Sequence, residues 1–491
     1  MLADWNVGAR LSNLNTLLRS EMWKYLFVIV TSVWVEPVLA ADERDQEIFG
    51  TSDTTSAAES VKSLGAEGES GKGLTQRLVD TLQIGGRLEV RLDSNNRERT
   101  RAADSEVSRL KQADIYFDTR PNSNLRSFLR LRLSEGGSNG GTPAVSSDPN
   151  QANDVCVSGC VRSDIDEMWL KWDIAQKFFV TYGKQHVRWG SGRLWNPSDF
   201  TSVRVVDPLA LFDRRLGVDM LRLHVPFEQQ GYNLYAVLLY PNAKRIDQLS
   251  GALRGEFAFG GIGEIALSFQ TAANAPIRAA IDLSTGLGPV DIHTETVFTK
   301  RQSQTLYKGQ VSPATGELPT PYRDKGRWFV QSLWGVDRTI KYSADDVVTI
   351  GAEYFYNQFG YDNRDLELYS IINGQSPGLY AGRRYLAAYV NLPNPGSLTD
   401  ISFFLNSLSN LGDETKLVRL TTSVKIHKEA DLQAYVSRCF GDYGEFCFRV
   451  NDSIKALGAS DQAPPTVRQV VQNLPTKRNL TTAGVGLVVK F

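Results

Sequence analysis

Cysteine, histidine and methionine are scarce in this 491-residue sequence, with four of each. Outside residues 1–40 no apolar run reaches the length of a membrane-crossing helix, which excludes a helical membrane protein. The four histidines (His186, His224, His293 and His427) show no metal-ligand spacing, so no metal site is expected. No G-x-S-x-G, phosphate-loop or dinucleotide fingerprint stands in a fitting context, so the expectation is no enzyme and no cofactor. Net charge is −1, which leaves no bulk excess of either sign to draw a polyanion, and no nucleic-acid partner is expected. What is plentiful is glycine, with 41 residues, and tyrosine, with 18, a bias that suits strands and turns.

From residue 84 onward apolar and polar residues alternate persistently, the period of a strand with one wet and one dry face. Candidate strands fall at 84–93, 107–118, 124–134, 163–174, 178–189, 217–227, 231–240, 251–260 and 263–272. Others follow at 277–284, 289–301, 327–342, 346–358, 383–393, 398–408, 413–427, 431–438 and 479–491. Tight turns (120–122, 175–177, 343–346, 393–396) occupy alternate junctions, and long segments (135–162, 190–216, 302–326, 359–382, 439–478) occupy most of the others. Short turns at one end and long loops at the other describe a meandering antiparallel barrel of about eighteen strands in an all-β chain. Without 277–284, the weakest pattern, and a neighbour the number would be about sixteen.

The segment 479–491 (NLTTAGVGLVVKF) places Phe491, Val489, Leu487, Val485 and Ala483 on one face and Lys490, Gly486, Gly484 and Thr482 on the other. This strand, with Gly486, Val489 and a closing Phe491, resembles the assembly signal of Gram-negative outer-membrane β-barrels. That family's pattern favours a polar residue near Gly484, which is missing. The resemblance implies recognition by the barrel-assembly machinery, outer-membrane lipid around the barrel, and periplasmic termini. Residues 25–35 (YLFVIVTSVWV) behind Arg10, Arg19 and Lys24, with small residues near Ala40, read as a signal peptide over 1–40; translation from Met22 would shorten its long basic lead. Residues 41–80 are polar, small and acidic up to about Lys72, too poor in apolar side chains to fold alone, and read as a disordered periplasmic linker or a docking segment for a periplasmic partner. The barrel itself then spans 81–491. Cys156 with Cys160, and Cys439 with Cys447, fall in two predicted external loops and read as two local disulfides.

Charged rows cannot face lipid, so they assign the faces of the strands. Arg87, Glu89 and Arg91 fall inward, as do Asp114, Tyr116 and Asp118, then Arg126, Arg130 and Arg132. Glu167, Lys171 and Asp173 follow, then Lys184, His186 and Arg188, then Arg222 and His224. Two readings remain open: guanidinium ladders that attract anionic solutes, or charges that pair across strands and keep a polar interior satisfied. The segment 182–200 (YGKQHVRWGSGRLWNPSDF) leaves its strand through Gly190-Ser191-Gly192 and is the candidate constriction loop. It carries Trp189, Arg193, Trp195, Asn196 and Asp199, continued by Arg204, Asp207, Arg214 and Arg215. Exposed Trp faces beside Arg and Asp would suit sugar rings; the alternative is a loop packed on the rim or wall. Over about twenty residues this stretch resembles the R-x-W-G…N-P-x-D segment of porin-like and alginate-export-type proteins. Trp169, Trp172, Tyr232, Tyr240, Trp328, Trp334, Tyr342 and Tyr354 lie near strand ends and read as interface girdles.

The expected function is therefore a channel for anionic or sugar-like solutes, in import or polysaccharide export. Its competitors are a loop-plugged surface protein that binds polysaccharide or a partner, and the barrel component of an envelope complex.

Overall fold

The computed structural model describes residues 81–97, 106–136, 160–201, 216–241, 245–272, 276–301, 304–310, 318–373, 380–448, 455–456, 468 and 479–491. The expected signal and linker, 1–80, lie outside the described residues. In chain order the strands are β1 (Gln83–Arg97), β2 (Glu106–Asn122), β3 (Leu125–Gly136), β4 (Cys160–Ile174), β5 (Phe178–Gln185), β6 (Val218–Phe227) and β7 (Tyr232–Leu239). Then come β8 (Ser250–Phe259), β9 (Gly263–Ala272), β10 (Ile277–Leu287) and β11 (Val290–Lys300). A separate small hairpin, β12 (Leu306–Lys308) and β13 (Thr320–Tyr322), precedes β14 (Phe329–Lys341) and β15 (Val347–Asn357). A helix α1 (Arg364–Ile372) leads to β16 (Arg384–Pro393), β17 (Ile401–Asn410), β18 (Lys416–His427), β19 (Ala430–Phe440) and β20 (Asn479–Lys490).

All but β12 and β13 form one 18-stranded sheet in which each strand pairs antiparallel with the next. The last strand closes it: β20 pairs with β1 from Arg87↔Lys490 to Arg97↔Asn479. Phe491 and Gly86 then exchange main-chain hydrogen bonds of 3.0 and 2.8 Å, so pairing continues to the final residue. Closure removes every sheet edge, the condition for a sheet to sit in hydrocarbon. The outer surface is apolar along the strands, with Trp334 60%, Leu253 58% and Trp172 56% exposed, while the inner face is charged or tightly packed. That polarity is inverted relative to a soluble barrel and marks a membrane-spanning one.

Three expectations change. The fifth strand ends at Gln185 rather than 189, because the chain turns into the barrel there. Lys184 lies opposite Met168, a lipid-facing residue 52% exposed, so Lys184 sits on the outer face and not in the lumen. Its ammonium donates to the Ile165 carbonyl at 2.6 Å. The alternation runs unbroken from Tyr182, which faces out, to Lys184, and the phase changes only where the strand ends after Gln185, so grouping Lys184 with His186 puts it on the wrong face. Trp169 is likewise no girdle residue: it lies opposite Phe128 on the inner face, whereas Trp172 points out. Cys439 and Cys447 form a disulfide; Cys156 and the Cys160 side chain lie outside the described residues.

The outward apolar face sets a prediction. Leu405, mid-strand in β17 and 42% exposed, meets lipid. Leu405→Arg lowers stability in lipid vesicles by about 2–4 kcal/mol, and Leu405→Met by far less. Equal unfolding midpoints in a denaturant titration would count against the assigned face.

Candidate functional site

Beyond Gln185 the chain enters the lumen, where each main-chain N–H must find an acceptor or lose about as much as a hydrogen bond is worth. Two buried glutamates on the far wall supply those acceptors. Glu295 of β11 accepts from the amides of Ser191 and Gly192, both at 2.7 Å, and from the amide and hydroxyl of Ser198 at 3.1 and 2.8 Å. Glu353 of β15 accepts from the amides of Arg193, Leu194 and Trp195, the last two at 3.0 and 3.3 Å. Both carboxylates are 0% exposed. Successive amides turned toward one carboxylate make an anion nest, here closed from inside. His293 of β11 bridges Glu353 at 2.9 Å and Asp337 of β14 at 3.5 Å. Its ring lies over Gly335, where any side chain would collide with it. Gly190, at φ +103°, stands where a Cβ would come within 2.6 Å of Glu295.

The rings of this loop do not face solvent. Trp195 is 3% exposed and stacks on Phe355 at 5.5 Å, with Tyr380 and Tyr385 around it. Trp189, 4% exposed, packs with Phe200, Met220, Val237 and Leu239, and the Arg254 guanidinium lies over its ring at 5.7 Å. These side chains are anchors that bind the loop to the inner wall, so the exposed sugar platform expected of them is absent. Arg193 keeps a half-exposed side chain beside Asp337, at 3.7 Å. Asp199 accepts from the Thr201 amide and hydroxyl at 3.2 and 2.7 Å, and Asn196 is half-buried against Gly190. Arg188 donates to the Gly192 carbonyl at 2.8 Å. Arg204, Asp207, Arg214 and Arg215 lie outside the described residues.

Opposite this packed side, β1 to β4 carry the charged rows, and each of the five inward arginines described there has a carboxylate. Arg87 lies 3.6 Å from Asp114 and Arg91 2.9 Å from Asp93, with Glu89 3.7 Å from both. Arg126 pairs with Asp118 at 2.7 Å, Arg130 with Glu167 at 3.1 Å, and Arg132 with Asp114 and Asp166 at 3.0 and 2.8 Å. A bulge in the β3–β4 register brings both Asp166 and Glu167 to the inner face, a placement that strict alternation misses. Asp166 also meets His186 at 2.9 Å. The cations Arg87, Arg91, Arg126, Arg130, Arg132 and Lys171 are outnumbered by Glu89, Asp93, Asp114, Asp118, Asp164, Asp166, Glu167 and Asp173. Arg222 and His224 face inward from β6, with His224 on Asn233 at 2.9 Å.

A third group, unforeseen in the sequence, caps the long-loop end. Asn363 caps α1 through hydrogen bonds to the amides of Asp365 and Leu366. The helix delivers Glu367 beside Asn410 at 3.0 Å, and Asn410 also donates to Glu445 at 3.1 Å. Glu445 accepts from the Tyr385 hydroxyl and from the amides of Tyr380 and Ala381, and the disulfide tethers its loop to β19. Burial, then the charges of Asp413 and Glu445, push the Glu367 carboxyl up to about 10. Burial pushes Glu445 up to about 7 against its hydrogen bonds.

No protein-family model matches the chain, and no curated protein does. Solved structures of outer-membrane proteins are similar to the chain at low identity. OccAB1 of Acinetobacter baumannii matches at 12% identity and TM-score 0.46, covering 83% of this chain and 96% of that one. A BenF-like porin from Pseudomonas fluorescens Pf-5 matches at 12% identity and TM-score 0.47, covering 84% and 98%. Wzi of Escherichia coli, described as an outer-membrane carbohydrate-binding β-barrel involved in group 1 capsule assembly, matches at 11% identity and TM-score 0.47, covering 85% and 86%. The fold is a porin-sized barrel. Likeness at this level carries no argument, and the barrel is established by the chain's own closed sheet.

Two predictions come from the site. Glu353→Gln replaces one nest oxygen with a donor and leaves loop amides unmatched; the double variant with Glu295→Gln frees the loop. Limited proteolysis should then cut within 190–200 at least tenfold faster than in the wild type, and unchanged cutting would show that the nests do not hold it. The second concerns the cap. The packed form holds the Glu445 proton more tightly than an ordinary carboxyl does, so its advantage is complete below about pH 4.5 and is lost as pH rises through about 7. Hydrogen-exchange protection of α1 should fall several-fold between pH 5 and 8, and Glu367→Gln combined with Glu445→Gln should remove most of that change; protection independent of pH would refute it.

Proposed function

We propose that the protein is an outer-membrane channel for small hydroxylated solutes, sugar-like or sugar acids, which pass between the pinned loop and the β1–β4 wall. The observation that carries this is the asymmetry of the lumen. Segment 186–201 is gathered against β6 to β11, β14 and β15, with His186 reaching Asp166 of β4, whereas Arg126 and Arg130 keep 33% and 31% of their side chains accessible. A barrel of this strand number is wide enough for an aqueous path beside one inward loop. Because the guanidinium rows are paired and outnumbered by carboxylates, the path discriminates weakly by charge. Its polar groups suit hydroxyls, which both donate and accept.

The same reading places the chain in a Gram-negative outer membrane with periplasmic termini, assigns β20 with Gly486, Val489 and Phe491 to the barrel-assembly machinery, leaves 41–80 for a periplasmic partner, and involves no catalytic step. A second reading has one observation in its favour: the apolar clusters around Trp189 and Trp195 stand inside the lumen, as they would in a plugged barrel that binds polysaccharide at its surface.

Single-channel recording in a planar bilayer separates the two. The wild type should conduct with nearly equal anion and cation permeability. Arg126/Arg130/Arg132→Ser strips cations from Asp114, Asp118 and Asp166, so the pore should become several-fold cation-favouring. Silent membranes containing folded protein, verified by its heat-dependent gel mobility, would transfer the weight to the plugged barrel.

A further inference from the structure

On the inner wall, in the half of each strand nearer the tight turns, aromatic rings follow one another from β2 to β7. Tyr116 stacks on Phe128 at 5.9 Å and Phe128 on Trp169 at 5.4 Å, both within 20° of parallel. Across the next strands Phe179 meets His224 at 5.7 Å, and His224 stacks on Tyr235 at 4.5 Å. The second group is offset from the first along the strands, Trp169 lying opposite Gly183 and Phe179 opposite Asp173, and Lys171, between Trp169 and Asp173 in sequence, sets its ammonium 4.9 Å from the Phe179 ring centre. Arg126 and Arg130 lie over Trp169 and Phe128 at 5.4 and 5.3 Å. The rings are all half-buried, neither sealed in the wall nor turned to lipid. Core rings would be covered and girdle rings would face outward; these border water inside a membrane barrel.

We propose that this row is a binding track for pyranose rings, the neutral, hydroxyl-rich class of solute. The apolar C–H edges of a sugar pack on aromatic surface without desolvating its hydroxyls. Donors and acceptors flank the rings at the same height: the Arg126–Asp118 pair, the Arg130–Glu167 pair and the His224–Asn233 pair. Each pair offers a hydroxyl both a partner that donates and one that accepts. The cations are already neutralised, so a carboxylated ligand gains little over a neutral one. With neighbouring strands about 4.8 Å apart, the row extends for roughly 24 Å around the wall, room for several linked rings. The proposal rests on the channel reading only in needing solute to reach the lumen.

The test is calorimetric titration of the detergent-folded full chain with maltohexaose, a linear neutral glucan, and with hexagalacturonate, its charged counterpart in length. The wild type should bind maltohexaose, Trp169→Ala and Phe128→Ala should each bind about tenfold more weakly, and Trp169→Phe should stay close to the wild type. Heat-dependent gel mobility confirms that each variant is folded. No heat of binding at millimolar glucan overturns the track, as does undiminished binding in both alanine variants. Tenfold tighter binding of hexagalacturonate overturns the assignment to neutral rings. Binding without conductance would leave the track standing and remove the channel; conductance without binding would do the reverse.

Discussion

A polypeptide segment inside a barrel has to be provided with hydrogen-bond acceptors, and that requirement organises this lumen. The amides of Ser191 to Trp195 and of Ser198 converge on Glu295 and Glu353, and those two side chains are sealed from water by the loop they hold. Neither half is stable alone. Two bare carboxylates in a packed wall would be desolvated without compensation, and an unpaired loop would leave its amides unmatched. The apolar side chains then have their places set: Trp195 fills the space among Leu333, Phe355 and Tyr385, and Trp189 the space among Met220, Val237 and Leu239.

The same requirement, met differently, shapes the opposite wall. On β1 to β4 the polar load is carried by side chains and not by a loop, and Arg87, Arg91, Arg126, Arg130 and Arg132 each find a carboxylate on their own or a neighbouring strand. Cross-strand pairing of this kind keeps a wet surface satisfied while leaving it accessible. Attraction of anions would need guanidinium groups without such partners. The inner wall of β1 to β4 is thus polar largely through compensated charge.

Much of this was legible in the alternation of residues. Each of the barrel strands overlaps a period-2 segment, including β10, whose short pattern at 277–284 proved to be part of an 11-residue strand. The closing strand lies with Val485 and Leu487 outward and Val488 inward, as its spacing implied. Failures occur where the period breaks. The bulge after Arg130 turns both Asp166 and Glu167 inward, and the end of β5 at Gln185 separates His186, inside, from Lys184, which keeps the outward phase of Tyr182. The roles of Glu295 and Glu353 were invisible because each resembles any other inward-facing acid; only contacts more than a hundred residues away, or close to it, distinguish them. Trp189 and Trp195 were singled out for their chemistry, but burial depends on what the loop meets after it folds inward, which local spacing does not encode.

The two sides of the lumen also divide the work of stability and of passage. Substitutions along β11, β14 and β15 disturb a packed interface in which a single lost acceptor strands several amides, so their effects should be cooperative and large. Along β1 to β4 the pairs join through shared carboxylates, Glu89, Asp114 and Asp166, and buried Arg132 belongs to that network, whereas Arg126 and Arg130 are partly hydrated, so changes at those two should alter the field in the path at little cost to the fold. A pore built with both properties on one wall would be stiff and closed, or open and poorly held. Here the loop is tied down by sealed carboxylates and packed rings, which on the proposed reading would leave the partly exposed groups of β3, Arg126 and Arg130, to meet solute.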